Sequence, residues 1–103
     1  MVINHEDFVT QWLQDSENQN SFLHESILEY IQDGDYSEFY HSLEQVIKAR
    51  GSIKQFAEQV GLDRSNLTDL LHGKNKNAPN MQTVLKILNG LGYEILLRKK
   101  KTA

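Results

Sequence analysis

Phe8, Val9, Trp12 and Leu13 recur at i, i+1, i+4 and i+5, the stripe of a short amphipathic helix over about residues 5–14. The polar run Asp15-Ser16-Glu17-Asn18-Gln19-Asn20 breaks that stripe. Phe22, Leu23, Ile27, Tyr30 and Ile31 then predict a second helix, about 20–32, closed at Asp33-Gly34-Asp35, where glycine supplies a left-handed cap. Tyr36, Phe39, Tyr40, Leu43, Val46 and Ile47 follow at helical spacing, so a third helix runs to Arg50 and stops at Gly51.

The second half is punctuated by caps. Ser52-Ile53-Lys54-Gln55 has the form of a capping box and opens a helix that ends at Gly61. Asp63 suits the start of the next helix, 64–72, because its carboxylate satisfies orphan N–H groups at the positive end of the dipole. After the polar loop Gly73-Lys74-Asn75-Lys76-Asn77-Ala78-Pro79, Asn80 caps a last helix, 81–90. Val84, Leu85, Ile87, Leu88 and Leu91 form its apolar side, and Gly90 and Gly92 close it. Tyr93-Glu94-Ile95-Leu96-Leu97-Arg98 alternates and predicts one strand, which must pair with its symmetry mate, a partner's sheet edge or another strand. The chain then ends in the basic tail Lys99-Lys100-Lys101-Thr102-Ala103.

Two short helices crossing steeply need a small residue at the crossing, a turn residue that tolerates positive φ, and apolar positions that lock both helices to the core. Residues 53–72 supply all three. Ala57 suits the crossing, Gly61 the turn, and Phe56, Val60, Leu62, Leu67 and Leu70 the inward positions. The pattern predicts a helix-turn-helix, the unit that carries a recognition helix into the major groove.

The charge distribution changes the picture, because the net −3 of the 103 residues hides two opposite halves. Residues 1–44 hold ten acids and no Lys or Arg; residues 45–103 hold all eleven Lys and Arg against four acids, a net +7. Such asymmetry suggests a basic half that meets a polyanion and an acidic half that meets a basic partner or serves as a solvated face. The length fits one domain with a modest core, for which oligomerisation is a natural support. Without cysteine there is no disulfide framework or thiolate chemistry, and with no signal-like or membrane-spanning segment a cytoplasmic setting is expected.

The string SIKQFAEQVGLDRSNLTDLLHGK resembles the lambda-repressor-like (Xre/Cro) helix-turn-helix, over roughly residues 43–92. The longer stretch of about residues 28–97 resembles the HigA-type branch of probable addiction module antidotes. Its marks are a Gly-Asp step after an apolar helix, a helix ending Ala-Arg-Gly, the AEQVGLDRSNLTDLL core, and TVLKILNGLG before a strand. Ala78-Pro79-Asn80 departs from the family's Asn-Pro step, which leaves the loop before the last helix in question. The fold implied is all-α: a lambda-repressor-like bundle at 36–92, an acidic helical extension at 1–35, and a short C-terminal β-strand with a basic tail at 93–103. The function implied is a cytoplasmic, DNA-binding antitoxin that represses its own operon as a homodimer and neutralises a RelE-like toxin. Pairing of two 93–98 strands is one route to that dimer.

By position, the resemblance puts Arg64, Ser65, Thr68 and Asp69 on the groove-facing side of the recognition helix, and Ser52, Lys54, Lys74 and Lys76 where phosphates pass. The chemistry adds to this. Arg64 can fork onto guanine O6 and N7, and Asn66 can pair with adenine if it points outward. Asp69 can accept from cytosine N4 but otherwise meets phosphates of like charge, so it is a specificity filter or a bystander. Trp12 with Phe8 and Val9 is either core or a docking helix for a basic toxin, and Tyr36, Phe39 and Tyr40 fit core better than base stacking. Four dispersed histidines make no defensible metal spacing, and no phosphate loop, nucleophile elbow, paired-acid motif or cofactor signature occurs, so no enzyme is expected. The alternatives are a phage-type or stand-alone Xre-family repressor, and an antitoxin that acts by protein contact without DNA.

Overall fold

Each apolar stripe becomes a helix. The computed structural model describes residues 5–73 and 80–101, and these contain six helices and no strand. In chain order they are α1 (His5–Trp12), α2 (Ser16–Asp33), α3 (Tyr36–Arg50), α4 (Ile53–Val60), α5 (Arg64–Leu71) and α6 (Met81–Gly90).

The starts are fixed by side-chain caps, each an oxygen accepting from N–H groups that have no helical partner. Asp15 Oδ1 accepts from Glu17 N at 2.8 Å, Asp35 Oδ1 from Ser37 N at 3.0 Å, and Ser52 Oγ from Gln55 N at 3.1 Å. Asp63 Oδ1 accepts from Asn66 N at 3.0 Å, and Asn80 Oδ1 from Gln82 N at 2.8 Å.

α3 is the hub, in contact with α1, α2, α4 and α5, while α6 packs on α4. Its apolar side carries Phe39, Tyr40, Leu43, Val46 and Ile47 into the centre, where they meet Leu13, Leu23, Phe56, Leu67, Leu71, Ile87 and Leu91. The acidic helices are thereby part of the same core as the basic ones. Tyr36, Phe39 and Tyr40 sit in an aromatic cluster with Tyr30, as expected of core residues.

Two expectations are corrected. The break after α1 is real but short: the chain turns at 13–15 and α2 starts at Ser16 rather than near residue 20, so most of the polar run 15–20 is helical. The run reads as a break because it lacks apolar residues, but its inward position is taken by Gln19, which is buried and hydrogen-bonded. The second correction is the strand over 93–98, which does not form. A strand needs a neighbouring edge for its N–H and C=O groups, and the described residues offer none. Tyr93 instead donates its N–H to Leu88 O at 2.9 Å and closes α6, leaving Ile95, Leu96 and Leu97 exposed in an irregular segment.

Candidate nucleic-acid interface

The segment that the sequence pattern marks as a helix-turn-helix starts at the Ser52 cap. α4 buries Phe56 and Ala57, and Ala57, 1 % exposed, has no side chain beyond Cβ to hold neighbouring helices apart. The chain leaves α4 through Gly61 at φ 72° and ψ 34°, a left-handed conformation that costs an L side chain about 1–2 kcal/mol. That turn lets Leu62 N donate to Ala57 O at 2.9 Å and Gly61 N to Glu58 O, closing the helix end. Two residues later the Asp63 cap opens α5, which packs against α4.

α5 is anchored by buried Leu67 and Leu71, with Leu70 half-buried beside them. The remaining positions divide by depth. Arg64, Ser65 and Asn66 are exposed and form the N-terminal tip of the helix; Thr68 and Asp69 are half-buried. Asp69 also has an interaction of its own, so it is not a bare surface charge. Asn66 plays two parts, its backbone N–H held by the Asp63 cap while its side chain stands in solvent. Ser52 and Lys54 are exposed at the start of α4, with the Ser52 hydroxyl oxygen engaged by Gln55 N. Lys74 and Lys76, and the loop of Ala78-Pro79, lie outside the described residues. Phe8 and Trp12 are 60 % and 41 % exposed on α1, Trp12 resting edge-on against Phe22 with ring centroids 6.3 Å apart.

Two polar contacts and one close apolar approach around this unit are not visible in the sequence pattern. Glu44 of α3 is buried, its carboxylate 3.2 Å from Lys48 Nζ on one side. His72, the residue that ends α5, brings Nε2 to 2.6 Å from Glu44 Oε2 on the other, although the ring is not aligned for a hydrogen bond. The C-terminal end of α5 is thus brought against α3 at His72, a histidine that stays exposed at the surface. A signal existed: Glu44 lies at i+4 from Tyr40 and within the apolar stripe of α3, where an acid demands a partner.

The second contact gathers the two halves. Arg50, in the last turn of α3, donates from Nε at 3.0 Å and Nη2 at 2.7 Å to Gln19 Oε1, while Gln19 Nε2 donates to Leu13 O at 2.6 Å. The same guanidinium lies over the Tyr93 ring, 5.9 Å from its centroid. One side chain therefore joins the α1–α2 corner, the end of α3 and the chain after α6. The third is a close approach: Gly90 faces Val60 and Phe56 of α4, where a Cβ would overlap the Val60 γ-methyl and come within 3.3 Å of the Phe56 ring.

No helix among the described residues is long and apolar enough to cross a membrane. Comparison with curated proteins and with solved structures finds no match to this chain. The family model described as "Probable addiction module antidote protein" matches residues 4–99, from before α1 to beyond α6. Because the match takes in the acidic helices as well as the α4–α5 unit, the chain belongs to the probable addiction module antidote family, whose members are antidotes rather than enzymes.

Proposed function

We propose that this antidote is a DNA-binding autorepressor with a helix-turn-helix at α4–α5, acting as a homodimer that represses its own operon and neutralises a RelE-like toxin in the cytoplasm. The observation that carries the reading is the exposed tip Arg64-Ser65-Asn66, aimed by a capped helix and backed by a rigid, buried Leu67–Leu71 edge. N-terminal residues of a recognition helix are those that reach base edges. Arg64 reads guanine, Asn66 and Ser65 read bases or phosphate, and Ser52, Lys54, Lys74 and Lys76 hold the backbone. The half-burial of Thr68 and Asp69 gives them a lesser share, with Asp69 positioned by its own contact rather than by a base.

A monomer offers few cations to the duplex, so two copies on half-sites about 34 Å apart supply the affinity. The acidic helices α1 and α2 take the toxin, a small basic protein, with exposed Phe8 and Trp12 as apolar anchors.

Fluorescence anisotropy with a labelled fragment of the protein's own promoter, at about 50 mM and 200 mM salt, tests the DNA half. Binding should fall steeply with salt, Arg64→Ala should cost about 1–3 kcal/mol against the native operator and less against other DNA, and Lys54→Ala should lower the salt slope by about one. Binding that ignores both substitutions and salt would refute it.

A further inference from the structure

Among the described residues, Glu44 is the one charged side chain that is buried, 7 % exposed between Leu43 and Val46 of the core. Taking a carboxylate out of water is costly, and a buried ion pair is often no more stabilising than apolar side chains of the same volume. Stability alone therefore gives little reason for an acid at this place. What the carboxylate has is direction. Its Oε1 lies 3.2 Å from Lys48 Nζ, one turn along α3 itself, and its Oε2 lies 2.6 Å from His72 Nε2 at the end of α5. Of these two contacts the second crosses to another helix.

The crossing contact matters because α5 is short. Leu67 and Leu71 are its buried residues and, at i and i+4, lie on one stripe. Apolar burial is non-directional, so contacts on a single stripe stop the helix from lifting off but resist roll and tilt about that stripe weakly. The base-reading tip is at the other end of the lever. Arg64 lies about 12 Å along the axis from His72, at about 1.5 Å per residue, so a tilt of about 5° about the His72 end moves the tip by about 1 Å. Hydrogen bonds span only about 2.7–3.2 Å, so a shift of that size breaks a two-pronged base contact. Ser52 and Lys54 belong to α4 and are not moved by such a tilt.

We propose that Glu44 is a positioning residue for operator reading: through His72 it fixes the tilt and roll of α5, and with them the place of Arg64, Ser65 and Asn66 against the base edges. Buried in α3, Glu44 itself touches no DNA. Its effect is on discrimination between sequences, whereas binding to the phosphate backbone, which carries no sequence information, is independent of it. This inference rests on the DNA-binding reading above and assigns that reading a residue outside the helix-turn-helix.

Anisotropy titrations of the full chain against two labelled duplexes of equal length, a fragment of its own promoter and an unrelated sequence, test it at one salt concentration and one pH. The readout is the ratio of the two Kd values. His72→Ala should lower the wild-type preference for the promoter by about fivefold or more, the lower end for one lost bidentate base contact, while binding to the unrelated duplex stays within about twofold. His72→Gln, which brings an amide N–H to a similar reach, should recover most of the preference. Glu44→Gln keeps the volume and removes the charge, and should lose as much as His72→Ala, with the double variant no worse than either. The His72 ring is 44 % exposed, so His72→Ala should keep the helical circular dichroism at the assay temperature, and the His72 variants decide the matter even where Glu44→Gln unfolds. A preference unchanged by His72→Ala overturns the proposal and leaves the DNA-binding reading standing. An equal loss on both duplexes also overturns it, and makes His72 a phosphate contact. A lost preference that comes with lost circular dichroism in His72→Ala overturns it in favour of a purely structural contact. A wild type with no preference for its promoter overturns the DNA-binding reading and this inference together.

Discussion

Gly90→Ala tests how closely α4 and α6 are packed. The added Cβ overlaps the Val60 γ-methyl and lies 3.3 Å from Phe56 Cζ. Phe56 is 7 % exposed and cannot retreat, while Val60, β-branched on a helix, has essentially one good χ1 rotamer. Relief therefore requires an off-rotamer valine, at about 0.5–1.5 kcal/mol, or a shift of α4 that loosens Phe56 and Ala57 as well. Overpacking of this kind costs about 1–3 kcal/mol, against which alanine's better helix propensity at the last residue of α6 offsets at most about 1 kcal/mol. A net loss of about 1–2 kcal/mol corresponds to a Tm lower by roughly 5–15 °C for a domain of this size. Urea unfolding followed by circular dichroism, at fixed protomer concentration, should show a lower midpoint at unchanged slope. Val60→Ala in the same chain removes the clashing methyl, so the double variant should recover much of the loss, a coupling that distant sites would not show. A Gly90→Ala protein as stable as the wild type, or one whose loss is simply additive with Val60→Ala, would refute the close-approach argument.

Three further outcomes follow from particular contacts. Arg50→Ala strands the buried Gln19 Oε1 and should cost about 1–3 kcal/mol in thermal melts, with Arg50→Lys recovering little because an ammonium cannot reproduce the two-pronged fork. Burial, with Tyr30 and Tyr36 adding to it, pushes the Tyr40 phenol from 10.0 up to about 12. Above pH 10 the unfolded chain loses a proton that the folded chain keeps, so stability should fall between pH 10 and about 12. Tyr40→Phe should remove that share of the alkaline loss, as read from urea midpoints of the two proteins at each pH. Hydrogen bonds from the Ser37 hydroxyl and N–H hold the Asp35 carboxyl below its ordinary 3.8, so its stabilisation is present above that value and is lost as pH falls through the lower folded one. Asp35→Asn should flatten that acid limb in a circular-dichroism titration.

The starts of the last three helices were legible because a cap is a local device. Ser52, Asp63 and Asn80 each act on N–H groups within three residues, so the residues that decide the geometry are neighbours in the chain. The apolar stripes and the Gly61 turn are legible for the same reason. So is the exposed Arg64-Ser65-Asn66 tip, since the Asp63 cap sets where α5 begins and Leu67 and Leu71 set which side is inward. The half-burial of Thr68 and Asp69 was not, because it depends on what packs beside α5.

Local pattern misled in two places. The second helix was read as starting near 20 instead of at Ser16 because the inward position of its first turns is a glutamine, whose partner Arg50 lies 31 residues away. The 93–98 alternation looked like a strand because periodicity records side-chain preference and says nothing of whether an edge exists to pair with. The sequence by itself determined six helices, the caps at Ser52, Asp63 and Asn80, an acidic half and a basic half. Only the tertiary structure decided that Gly90 meets Val60, that His72 meets Glu44, that Arg50 joins both ends, and that an apolar groove is left open between α2 and α6. Those features depend on how the helices cross, and a crossing is set by volumes and polar partners far apart in the chain, which no window of neighbouring residues contains.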